Sequence, residues 1–160
     1  MTIQKTNVMR FLEQKKIPYQ SHSYPHGEEA VDGVTVAGLI GRDPACVFKT
    51  LVARGASKTC YVFVIPVAEE LDLKKAARSV GEKSIAMLPV SELLPTTGYV
   101  RGGCSPIGMK KLFKTVFHNS TAVLNTMIVS AGRIGQQVEL TPAALISLTR
   151  GSVADITAED

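Results

Sequence analysis

Val47-Phe48-Lys49-Thr50-Leu51-Val52-Ala53 and Thr59-Cys60-Tyr61-Val62-Phe63-Val64-Ile65, joined by Arg54-Gly55-Ala56-Ser57-Lys58, are the stretch that decides the fold. Both runs are rich in β-branched and aromatic residues, and the polar connection between them has hairpin length. They predict two strands. The second run is almost continuously apolar, as burial on both faces requires. In the first, side chains alternate, so Lys49 projects with Val47, Leu51 and Ala53 while Phe48, Thr50 and Val52 face the other way. Neither face is predominantly polar. An ammonium on such a strand either lies at a solvated edge, where it discourages aggregation, or meets an anion in a cleft.

Outward from this hairpin the pattern mixes helices and strands. Residues 6–16 carry Val8, Phe11 and Leu12 at helical spacing, with Lys15 and Lys16 at the negative end. An extended stretch follows and closes at Pro25-His26-Gly27. A short helix is predicted over 35–40, with Gly41 to end it. Residues 71–80 are the clearest helix, capped by Asp72 and stopped by Gly81. Residues 84–88 read as a strand and 90–94 as a turn or two of helix between Pro89 and Pro95. Strands are expected over 115–118, 127–130 and 136–140, with 131–135 as a tight connection. Thr141-Pro142 opens a last helix that Gly151 ends, and 153–156 is a final short strand before a tail expected to fray. The elements lack regular βαβ alternation. The fold class expected is α+β, with a mixed, largely antiparallel sheet.

Whole-chain numbers narrow the function classes. At 160 residues the chain is the size of one domain. No apolar run approaches the length of a membrane span, and the polar start does not resemble a signal peptide, so the cytoplasm is the expected location. Cys46, Cys60 and Cys104 are three in number and never in a CxxC pair, which fits reduced thiols. His22, His26 and His118 form no zinc pattern, and Pro25 breaks the one helical spacing among them. Neither a metal nor any other cofactor is expected. The net charge of +4 permits a polyanionic partner without demanding one. Lys74, Lys75 and Arg78, like Lys110, Lys111 and Lys114, read first as solvated faces.

GxSxG, GxxxxGK[ST] and GxGxxG are all absent. Cys104 sits in a glycine-rich loop where amides could activate a thiol, but no histidine lies near it in sequence. Glu28, Glu29 and Asp32 read as solvated loop charges. What remains is a binding constellation: Lys49 on its strand, the loop over 98–108 with four glycines, and the Ser130-Ala131-Gly132 turn. Glycines let a backbone approach a ligand closely, and successive amides can cradle an anion. Such donors suit a ligand carrying a carbonyl and phosphates.

The ordered set Val47-Phe48-Lys49-Thr50-Leu51-Val52, Leu73-Lys74-Lys75-Ala76-Ala77, Thr97-Gly98-Tyr99-Val100-Arg101-Gly102-Gly103-Cys104-Ser105-Pro106-Ile107-Gly108 and Val129-Ser130-Ala131-Gly132 resembles the YbaK/EbsC family. These proteins are stand-alone relatives of the editing domain inserted in bacterial prolyl-tRNA synthetases. The resemblance runs over nearly the whole chain. It implies a sheet curled into a barrel-like core with flanking helices, and hydrolysis of mischarged cysteinyl-tRNA(Pro), with cysteinyl-tRNA(Cys) as a further substrate. It makes Lys49 the catalytic lysine and Tyr24, Thr50, Gly102, Gly103 and Ser130 substrate-binding positions. A pocket aromatic of some relatives falls here near Asp32, a departure from the pattern.

The mechanism implied by the resemblance is attack by the substrate's own thiol on its ester carbonyl, which suits a chain with no evident nucleophile and base. The implied partners are the aminoacyl-tRNA 3′ end and prolyl-tRNA synthetase, with a monomer as the default state. Three alternatives stay open: an editing domain that clears alanine from tRNA(Pro), a non-catalytic module that recruits a synthetase or tRNA, and a Cys104 hydrolase.

Overall fold

The computed structural model describes residues 5–158. The chain runs α1 (Asn7–Gln14), β1 (Gln20–Ser23), α2 (Gly33–Leu39), β2 (Phe48–Gly55), β3 (Cys60–Pro66), α3 (Leu73–Val80) and β4 (Ile85–Met87). It continues through α4 (Val90–Thr97), β5 (Lys114–His118), β6 (Met127–Arg133), β7 (Gln136–Leu140), α5 (Pro142–Thr149) and β8 (Ser152–Ala154). The five strands β4-β2-β3-β5-β8 form one sheet and β1-β7-β6 a second. Pairing is antiparallel except where β5 joins β3 and β8 in parallel. The architecture is therefore α+β with mixed, largely antiparallel sheets.

The central hairpin has the burial its sequence demands. Phe48, Val52, Val62 and Val64 pack on one face against α1's Val8, Met9 and Leu12 and against Val129, Ala131 and Val138 of the second sheet. Ala53, Phe63 and Ile65 pack on the other face against Ala76 and Ala77 of α3. A third small cluster, Ala37, Val47, Val67 and Ile128, lies where the two sheets approach. There a single parallel bridge pairs Val47 with Ile128. Hydrogen bonding between the described strands does not continue around into a closed ring, so the molecule has two joined sheets flanked by helices.

Capping residues set most helix ends. Thr6 accepts from the Met9 amide, Asp72 from those of Lys74 and Lys75, and Thr141 from that of Ala144. Four expectations need correction. The second helix starts at Gly33 rather than 35, because Asp32 caps it by accepting from the Thr35 amide. The fourth passes through Pro95 to Thr97; proline forfeits only a bond to the carbonyl of Ser91, an exposed residue that water can serve. Residues 131–133 belong to β6, whose register shifts between Ser130 and Arg133 in a bulge. The last helix ends on Arg150 in the left-handed region, φ 54°, one residue before the expected glycine. The end of the tail, Glu159 and Asp160, lies outside the described residues.

Candidate active site

The half of β2 that carries Lys49 has one edge unpaired. β3 covers one side along the strand, opposing Lys49 to Ile65. On the other side β4 pairs only with Ala53, Arg54 and Gly55. The open edge faces a cavity of about 970 Å³ lined by Lys49 and both its neighbours Phe48 and Thr50. The edge position and the cleft position, alternatives in the sequence, thus coincide in the structure.

Four other segments close the cavity. Tyr24 follows β1 and is 5% exposed; its amide donates to the Gly135 carbonyl at 3.0 Å and its ring meets His26 edge-on. Residues 28–34 bring Glu28, Glu29, Asp32 and the start of α2 to the rim. The glycine loop contributes Val100, Arg101, Gly102 and Cys104. The second sheet contributes Ser130 from β6 and Gln137 from β7, which face each other in antiparallel register. A side chain at Gly102, where φ is +85°, would place its Cβ 2.7 Å from that of Ala30. The left-handed backbone and this close approach both require glycine there.

The site residues expected from the sequence are brought together, with one exception. Tyr24, Lys49, Thr50, Gly102 and Ser130 line the cavity; Gly103 sits behind its wall, packed on the Arg133–Ile134 backbone with its amide donating to the Val100 carbonyl. The loop is fastened by the Tyr99 hydroxyl, which donates to the Ile107 carbonyl, and by Ser105 Oγ, which accepts from the Ile107 amide. Ser130 Oγ accepts from the Gly132 amide at 3.1 Å, a bond made possible by the bulge and by Gly132 at φ 94°. Asp32, where relatives place an aromatic, lines the rim while its carboxylate caps α2.

The electrostatics separate the groups that are free from those that are spent. Among the described residues neither Lys49 Nζ nor the Arg101 guanidinium makes an ion pair or side-chain hydrogen bond. Asp32 Oδ1 and Oδ2 accept from the Thr35 hydroxyl and amide, which holds its carboxyl below the usual range. Burial pushes the Cys104 thiol up to about 12, which disfavours the thiolate. His118, the histidine nearest in sequence, is held elsewhere: Nδ1 accepts from the Ser120 amide and Nε2 bonds Thr157 Oγ1. Cys104 lines the cavity as a buried free thiol with neither His118 ring nitrogen directed to it. Lys75, in one of the basic clusters, donates to Asp155 and to the Thr157 carbonyl. Among the described residues no three His, Cys, Asp or Glu side chains gather where a metal could be held.

Two features were not visible in the sequence. Thr50 Oγ1 and Gln137 Oε1 are buried and have no hydrogen-bond partner. Both belong to cavity-lining residues. Only the alternation in Gln136-Gln137-Val138-Glu139-Leu140 hinted that Gln137 shares a face with Glu139, and such alternation reads as a solvated face.

An α+β protein with an unpaired cation, close-approaching glycine backbone and unpartnered polar atoms around one cavity is a small-ligand site built for a polar, anionic or carbonyl-bearing group. The aminoacyl-tRNA editing domain model matches residues 28–148. The chain belongs to that family. It is 46% identical over 159 residues to an Enterococcus faecalis protein provisionally named Cys-tRNA(Pro)/Cys-tRNA(Cys) deacylase EbsC, covering 99% of this chain and 97% of the relative. Solved structures share the fold, among them the following two. A protein provisionally described as a trans-editing enzyme for prolyl-tRNA synthetase superposes with TM-score 0.82 at 22% identity, over 98% of this chain and all of that one. A scaffold used for epitope grafting superposes with TM-score 0.84 at 24% identity, over 96% of both chains.

Proposed function

We propose that this protein is a trans-acting aminoacyl-tRNA deacylase that removes cysteine from mischarged tRNA(Pro), and from tRNA(Cys) as a further substrate. The observation that carries the reading is Lys49, unpaired among the described residues and standing at an open strand edge inside the cavity. The name of the E. faecalis relative, matched over almost the full length of both chains, supplies the substrate class.

The chemistry needs no nucleophile from the protein. The cysteinyl thiol sulfur attacks its own ester carbonyl carbon, forming an S–C bond and breaking the bond to the ribose 3′ oxygen. That oxygen leaves with the electron pair and takes up the thiol proton, giving a free tRNA 3′ end and a β-thiolactone, which water opens to cysteine. The protein's task is to hold the aminoacyl group in the attacking conformer and to stabilise the oxyanion, effects that together supply large accelerations. Lys49 anchors the carbonyl oxygen or the phosphate of the terminal adenosine. Tyr24, Thr50, Gly102 and Ser130 shape the pocket, and Gly103 supports Gly102 from behind.

The whole chain is read as one deacylase domain, monomeric and cytoplasmic, with its sheets acting as a barrel-like shell around the reaction. Prolyl-tRNA synthetase supplies tRNA identity, since the chain presents little of its own to read it. A deacylation panel of cysteinyl-, alanyl-, seryl- and prolyl-tRNA with wild type and Lys49→Ala tests the proposal. Turnover of the cysteinyl ester alone, lowered by about 10²- to 10³-fold in the variant, is expected. Turnover of alanyl-tRNA would overturn the thiol-assisted route. Binding without turnover of any of the four would leave a recruitment module.

A further inference from the structure

Gln137 is 6% exposed on the cavity wall, and its Oε1 has no hydrogen-bond partner. It occupies the central strand of the second sheet, opposite Ser130 on one side and His22 on the other. Glu139, two residues on and on the same face, is fully engaged by His22, Arg42 and the Thr126 hydroxyl. Gln137 is left without a partner for its amide oxygen. Buried polar atoms are almost always bonded, and an orphan in a cavity wall marks where a ligand's complementary atom goes.

We infer that Gln137 Oε1 accepts a hydrogen bond from the α-ammonium of the aminoacyl group and so makes the site selective for α-amino acid esters. The inference rests on the deacylase reading above and extends it to one recognition contact. An amide oxygen requires a donor. Within the aminoacyl group the ester carbonyl has none, and the thiol must surrender its proton during the reaction. The α-ammonium offers three N–H groups and carries a charge that strengthens each bond. The rival acceptors are poorly suited: Asp32 is spent on Thr35, and Glu28 and Glu29 are exposed at the rim. A neutral acceptor is also the right choice in this place. A carboxylate there would oppose the oxyanion and cancel part of the field of Lys49, whereas an amide binds the ammonium without that penalty. Thr50 Oγ1, the other unpartnered atom of the wall, remains to serve the substrate's second polar group.

The test compares cysteinyl-tRNA(Pro) with chemically acylated 3-mercaptopropionyl-tRNA(Pro), which keeps thiol and ester but lacks the amine. Gln137→Ala is expected to lower kcat/KM for the cysteinyl ester by about 10- to 100-fold, the worth of a hydrogen bond to a charged group. It is expected to leave the deamino ester within about twofold of wild type. Gln137→Glu keeps the acceptor, so KM stays close to wild type while kcat falls, a split that a merely structural role would not give. Equal losses on both esters, or no loss on either, overturn the inference.

A binding arm separates its failure from that of the deacylase reading. Calorimetry with the non-hydrolysable 3′-cysteinylamino-3′-deoxyadenosine and its deamino counterpart needs no turnover. If wild type hydrolyses no charged tRNA yet prefers the amino ligand, and Gln137→Ala and Gln137→Glu respectively lose and keep that preference, the deacylase reading falls and the contact stands. If wild type binds both ligands equally, the contact falls.

Discussion

Lys49 and Ser130 stand on different sheets, yet each lies two residues past the same point, the parallel Val47–Ile128 bridge that joins those sheets. The bridge fixes β2 and β6 against one another two residues before Lys49 and Ser130 line the cavity. The distance between the proposed anchor and the pocket serine is therefore set by backbone pairing in the core. A site placed on strands in this way is more exact than one placed on loops.

Because Lys49 is half-buried and unpaired, its removal should cost activity and spare the fold. Lys49→Ala is expected to reduce deacylation by about 10²- to 10³-fold, the range for losing one preorganised oxyanion donor. Its urea midpoint should correspond to a stability change under about 1 kcal/mol. A comparable loss of both would reassign the residue to structure.

Cys104 should prove dispensable for chemistry. With its thiol pushed up to about 12 by burial, Cys104→Ser should retain deacylation within about threefold, allowing for altered packing in a buried wall. Iodoacetamide labelling of Cys104 in the folded protein should keep accelerating with pH up to at least pH 10, followed by mass spectrometry. A labelling plateau near pH 8 would contradict this environment.

Gly102→Ala should damage both stability and turnover. The new methyl would meet Ala30 at 2.7 Å, on a backbone at φ +85°. The left-handed conformation alone costs a residue with a side chain about 1–2 kcal/mol, and displacing Ala30 shifts the rim. A lowered thermal midpoint with reduced kcat/KM is expected. Gly98→Ala, at φ +88° but beside only the flexible Lys110 side chain, should destabilise with little effect on turnover.

Acid should weaken the second sheet through Glu139. Burial pushes its carboxyl up, but hydrogen bonds from Thr126 and His22 and the charge of Arg42 prevail and hold it below the usual range. A carboxylate with a depressed folded pKa contributes stability that is fully present above its unfolded pKa, about 4.3. That contribution is lost as pH falls from there through the folded value. Urea unfolding of Glu139→Gln between pH 3 and 7 should show a flatter acid limb than wild type and a loss of about 1–3 kcal/mol at pH 7. An unchanged acid limb would assign the acid sensitivity elsewhere.

The hairpin, the clear helix at 73–80 and the caps at Asp72 and Thr141 were legible because local chemistry alone specifies them, whereas Thr6, expected inside the first helix, is its cap. Asp32 was misread as a solvated charge, since a cap declares itself only when the following amide turns toward it. Pro95 suggested a stop, but its lost bond falls at an exposed residue. The resemblance singled out Lys49, Tyr24, Thr50, Gly102, Gly103 and Ser130, and the structure gathers all but Gly103 along one cavity. Gln137 was not singled out, nor was the lack of any hydrogen-bond partner for the Thr50 hydroxyl. Their significance depends on strands of two sheets, residues 28–34 and the glycine loop meeting around one cavity, and a strand's own alternation cannot report what other segments bring to it.

The cavity draws its walls from Tyr24 at one end of the chain and Gln137 at the other, with the Val47–Ile128 bridge between. On the ribosome, Lys49 emerges long before Ser130 and Gln137 have been made. A nascent chain thus exposes the lysine while possessing no chamber, and capacity to edit arrives only with the final strands. Truncation before β7 should yield an inert polypeptide, since it removes Gln137 from the cavity wall and β8 from the edge of the five-stranded sheet.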